Sequence, residues 1–129
     1  MNQDFDGYSQ PKYKFKTETL DITLPANQQQ VSEKIKLEEA VEIKAVAVVK
    51  GNVDKILNLG FYEHGQVIND PMDVSLWGRL AIGNHPIDGF FPLNSKGNKD
   101  IEARLIAPEA FAAEVKIQIV FFIKQLAAC

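Results

Sequence analysis

A chain of 129 residues, 46% apolar, 24% charged and with a formal charge of −3, has the size of one domain with a sizeable core and a composition that excludes global disorder. Arg79 and Arg104 are the only arginines, and acidic and basic residues are mixed along the chain, so recognition of nucleic acid is not expected. Cys129 is the single cysteine, which excludes an internal disulfide and offers no positioned nucleophile.

The opening residues, MNQDFDGYSQPKYKFK, lack the basic start and continuous apolar run of a signal peptide. The longest apolar run, IVFFI at Ile119 to Ile123, is far short of the roughly twenty residues that span a membrane. The expectation is a soluble chain, cytoplasmic by default, with no membrane-spanning segment. Residues 1–12, polar apart from Phe5 and Tyr8, read as an arm that is either loose or laid over a neighbour, followed by one β-sandwich domain over 13–129.

Within that domain Tyr13, Phe15 and Thr17 take one phase of an alternating pattern and Leu20, Ile22 and Leu24 the other. A bulge near Glu18-Thr19 would reconcile them, because one extra residue flips every later side chain. Gln30 to Val41 is ambiguous; a helix there would have only a thin apolar stripe, so a short strand with Val31, Ile35 and Leu37 is favoured, ending in a solvated turn at Glu38-Glu39. Val41, Ile43, Ala45, Ala47 and Val49 then mark a strand, with Val46 and Val48 making its second face partly apolar. Shorter alternating sets follow at Leu57, Leu59 and Phe61, and at Val74, Leu76, Gly78, Leu80 and Ile82, with Trp77 on the face opposite Leu76.

His85 to Asp100, HPIDGFFPLNSKGNKD, reads as a loop whose middle is unusually apolar. Adjacent Phe90 and Phe91 point in opposite directions in an extended segment. One phenylalanine is therefore expected to plug the core and the other to meet a neighbour. Ile101, Ala103 and Leu105 form the next strand, and Pro108 to Glu114 could make one helical turn. The last strand places Val115, Ile117, Ile119, Phe121 and Ile123 inward and Val120 and Phe122 on the second face. About eight short strands separated by frequent turns predict an all-β, two-sheet antiparallel sandwich, jelly-roll-like.

Chemistry is thinly marked. A metal site needs two to four converging ligands, and Glu63-His64, His85 and Asp88 offer only scattered candidates, with Asp88 more simply capping its own backbone before Gly89. No serine sits in a nucleophile motif and no glycine-rich phosphate loop is present. Facing carboxylates for glycoside hydrolysis have no signature beyond chance pairs. No enzyme activity, metal or cofactor is expected. Trp77 and Tyr62 are candidate sugar-stacking platforms of a carbohydrate-binding module, although aromatic residues in sandwiches more often pack. Burial of a Phe or Leu is worth about 1.5–3 kcal/mol, so Phe90, Phe91 and Leu93 on a loop, with Val46, Val48, Val120 and Phe122 on second faces, favour self-association or docking. Phe5, Tyr8, Phe90, Phe91 and Phe122 are the candidate interface residues.

The succession TETLDITLPANQQQVSEKIKL, VEIKAVAVVKG, LNLGFYEHGQVINDP, FPLNSKGNKDIEARL and VKIQIVFFIK resembles the layout of small single-jelly-roll structural proteins of bacterial viruses. The resemblance runs from about Thr17 to Lys124 and is one of layout rather than of motifs. It implies a non-enzymatic virion component, a symmetric homo-oligomer with other virion structural proteins as partners. It further implies contacts through the arm at Phe5 and Tyr8, the Phe90-Phe91 loop and the face bearing Trp77.

Overall fold

The computed structural model describes residues 12–50, 53–78 and 90–127. The arm up to residue 11, with Phe5 and Tyr8, and the His85-Asp88 portion of the loop lie outside the described residues. The described residues form eight strands: β1 (Tyr13–Leu24), β2 (Gln30–Lys36), β3 (Glu42–Lys50), β4 (Asn58–Glu63), β5 (Gln66–Asp73), β6 (Phe91–Pro92), β7 (Asp100–Ile106) and β8 (Val115–Leu126). They make two four-stranded antiparallel sheets, ordered β1-β8-β3-β6 and β2-β7-β4-β5. Sequence neighbours β1 and β2, like β2 and β3, lie in different sheets, whereas the first and last strands pair. That is the jelly-roll-like sandwich expected from the strand spacing.

Period-two patterning sets the layers. In β8 every second residue from Val115 to Ile123 is buried and those between are partly or fully exposed. Opposite positions on β3, Ile43, Ala45 and Ala47, are buried as well. Leu59, Phe61, Ile101, Ala103 and Leu105 face them from the other sheet, each with no measurable exposure. The Phe61 ring sits at the middle, edge-on to both Trp77 (5.0 Å) and Phe121 (5.9 Å).

Three local expectations are corrected. No bulge interrupts β1: its register against β8 is unbroken from Tyr13↔Leu126 to Leu24↔Val115. Leu20, Ile22 and Leu24 therefore face the core, whereas Tyr13, Phe15 and Thr17 share the outward row with Thr19, Asp21 and Thr23. Second, the described part of the alternation from Val74 makes no strand, because Val74–Trp77 winds into a single 3-10 turn; Leu80 and Ile82 lie outside the described residues. Asp73 causes it, its carboxylate accepting from the Ser75 amide at 3.0 Å and the Leu57 amide at 3.3 Å. Leu76, expected inward, is exposed, and Trp77 points into the core. Third, Pro108 to Glu114 forms no helical turn. The carbonyls of Pro108, Ala110 and Phe111 accept instead from the Gln29 side chain, the Lys55 ammonium and the Asn27 amide.

The two flanks of the sandwich differ. On one, β1 and β2 lie side by side as the edge strands of their sheets. On the other, β5 is fastened to β6 and the residues after it: Asn69 donates to the Pro92 carbonyl at 3.2 Å and accepts from the Asn94 amide at 2.9 Å. The Asn94 side chain closes the clasp on the Ile68 carbonyl at 2.7 Å.

Candidate interaction surface

Among the described residues, the outward face of the β1-β8-β3-β6 sheet groups four exposed large apolar side chains, Tyr13, Phe15, Val48 and Leu126. Phe122 lies at its centre. The Phe15 ring stacks on it from β1, with centroids 5.3 Å apart and planes 28° from parallel. Phe90, just before β6, meets it edge-on at 6.2 Å. Beside this cluster Val120 is directly opposite Val46, and Val48 is opposite Gln118. At the far end Tyr13 is opposite Leu126, with the Lys124 ammonium 4.3 Å above the tyrosine ring. Phe15 remains 53% exposed and Leu126 59%, so the neighbours cover the cluster only in part.

The same face is basic on an acidic chain. Lys44, Lys50, Lys116 and Lys124 stand among its outward residues against Asp21 and Glu42. Glu42 is opposite Lys124, and Asp21 accepts from Gln118 at 3.2 Å. Lys50 and Lys116 face each other directly, a like-charge arrangement that costs stability across a strand pair.

Of the candidate interface residues in the described part, Phe90 and Phe122 are brought together on this face and Phe91 is not. Phe91 is opposite Ala45, on the inward row, with its ring 4.9 Å from that of Trp77. It lies at the margin of the core and is still 39% exposed. The two phenylalanines thus serve opposite faces of one sheet. Phe15 belongs to the outward cluster and escaped the sequence reading. Its signal was the polar row Thr17, Thr19, Asp21, Thr23, which continues backwards onto Phe15 when no bulge intervenes.

Of the stacking-platform candidates, Trp77 is closed off and Tyr62 is half-buried. Trp77 is 1% exposed and its indole N–H donates to the Leu59 carbonyl at 2.9 Å. That corrects its placement on an outer face: the 3-10 turn rotates it inward. Tyr62 is on the outward face of the second sheet, but the Arg104 guanidinium covers its ring at 4.1 Å. Glu102 holds that guanidinium in place through contacts of 3.0 and 3.2 Å.

The remaining polar candidates build turns. His64 and Gly65 both have positive φ (51° and 78°) and form the two-residue connection of the β4–β5 hairpin, the geometry that matches strand twist. Ser95 donates to the Glu63 carboxylate and accepts from the Gly97 amide at 3.1 Å. Glu38 is exposed, as expected of the solvated turn, and also binds the Lys16 ammonium at 2.7 Å and the Gln125 amide at 3.1 Å. That bond to Lys16 holds the Glu38 carboxyl below its ordinary value and raises the lysine. Among the described residues no group of three or more His, Cys, Asp or Glu side chains could hold a metal ion, and no helix is long and apolar enough to cross a membrane.

No family model, curated protein or solved structure matches the chain.

Proposed function

We propose that the protein is a non-enzymatic structural module that assembles with copies of itself through the outward face of the β1-β8-β3-β6 sheet. The carrying observation is the Phe15–Phe122–Phe90 cluster, in which Phe15 is exposed and Phe122 and Phe90 are half-buried, with exposed Val48 and Leu126 on the same face. Complete burial of a phenylalanine contributes about 1.5–3 kcal/mol, so covering a half-exposed Phe15 and its neighbours supplies a driving force for association. The layout of the strands supports a virion component of a bacterial virus as the setting, with other structural proteins of the particle as further partners.

The experiment is sedimentation equilibrium across a wide concentration range. The unaltered chain is expected to give a multiple of its 14.4 kDa mass, and F15S/F122S to dissociate with little change in thermal stability. A strictly monomeric chain at high concentration overturns the reading. The competing reading as a carbohydrate-binding module rested on Trp77 and Tyr62; it loses support from the buried Trp77 and retains Tyr62, half-buried with the Arg104 guanidinium over its ring.

A further inference from the structure

We infer that two copies join edge to edge through β1, antiparallel about a two-fold axis at Thr17, so that two four-stranded sheets become one of eight. This goes beyond the face-mediated contact just proposed, because pairing at the β1 edge leaves the outward face open and adds a second, separate contact between copies.

The edge is long and regular. β1 runs Tyr13–Leu24 without a bulge or proline and pairs only with β8 among the described residues. Lys12, directly before it, accepts from the Ala127 amide at 2.9 Å. In an antiparallel pair both backbone groups of a residue point the same way and the direction alternates along the strand. Even-numbered residues of β1 thus bond to β8, and Tyr13, Phe15, Thr17, Thr19 and Asp21 direct their amides and carbonyls to the free edge. An unpaired row of this kind is a template for another strand.

Charge selects the register. A two-fold axis at Thr17 sets Thr17 against its own copy, Phe15 against Thr19 and Tyr13 against Asp21, all as hydrogen-bonded pairs. Between them Lys16 falls opposite Glu18 of the second copy, twice by symmetry, at the non-hydrogen-bonded positions where side chains are closest. Lys16 and Glu18 already lie 3.3 Å apart within one chain, on the same row. Sliding the copies by two residues either way sets Lys16 against Lys16 or Glu18 against Glu18. The central register alone is self-complementary, and it continues the Phe122–Phe15 face across the axis without interruption.

The test combines cross-linking with charge reversal, both in a C129S background. T17C is expected to give a disulfide-linked dimer under mild oxidation, since opposed strand positions fall within disulfide reach; T23C, distant from its symmetry mate, is not. K16E and E18K are each expected to weaken self-association about tenfold, two opposite-charge pairs becoming like-charge pairs, and K16E/E18K to recover it. K16E and K16E/E18K both lose the Glu38 contact, so that recovery does not come from Glu38. Self-association without T17C cross-linking overturns edge pairing while leaving the proposed function standing. A monomeric chain overturns both.

Discussion

Asp73 and Gly97 show how single residues fix the turns on which the sheets depend. Burial pushes the Asp73 carboxyl up, but bonds from the Ser75 amide and hydroxyl and the Leu57 amide outweigh it and leave the group below its ordinary value. Glu38 is lowered as well, through Lys16. Groups depressed in the folded state stabilise it above the ordinary carboxylate range and lose that contribution as pH falls through their folded values. Stability should therefore decline from about pH 5 downward. D73N keeps an acceptor and should flatten that decline, whereas D73A should also lose about 1 kcal/mol at neutral pH, as for a lost helix cap; urea melts at several pH values measure both. Gly97 has φ +80° and a Cβ there would lie 2.1 Å from the Glu38 carbonyl oxygen, whereas Gly65, at φ +78°, has open space around it. G65A should cost about 1–2 kcal/mol, the left-handed penalty alone. G97A should cost clearly more, because backbone must also move; thermal melts of the pair separate strain from clash.

At the scale of elements, how much the sequence discloses depends on how many faces a strand must satisfy. β3, β4, β7 and β8 are central, their inward rows are apolar except at the strand ends Glu63 and Gln125, and period two alone locates them. The hairpin partner β5 hides because Pro71 and its polar neighbours break the pattern. Pro71 suits an edge strand, and the hairpin signal lay in His64-Gly65 rather than in β5 itself. The 3-10 turn hides differently: Val74, Leu76 and Gly78 mimic alternation, while the decisive information is an Asp73 carboxylate reaching Leu57, a contact between distant positions. Trp77 follows from that turn, so the position of the indole was not legible locally. As the sole tryptophan, it should emit in the blue when folded and shift red in one step on unfolding. W77F should destabilise by about 1–3 kcal/mol, because the Leu59 carbonyl then lacks its partner in a dry core.

For the whole molecule, the sandwich class and the separation of Phe90 from Phe91 could be read from alternation. The apolar face that results could not. It exists because β1 runs straight through the point where its hydrophobic phase changes, delivering Phe15 to the outside beside Phe122. Why the phase changes is visible only in three dimensions: beyond Leu20 towards its start, the inward row of β1 is Glu18, Lys16 and Lys14. There Lys16 meets Glu38, whose carboxylate also accepts from Gln125, rather than the apolar core.

The unequal flanks bear on how far any strand-mediated growth could proceed. The β5/β6 side offers a two-residue strand ending in Pro92 and a neighbour containing Pro71 with two register shifts, both tied down by Asn69 and Asn94. A building block with one receptive flank and one blunted flank terminates after a single addition, as a closed pair, and does not propagate into filaments. Light scattering should therefore reach a plateau as concentration rises. N69A, which unfastens the blunted side, is the variant expected to lift that ceiling.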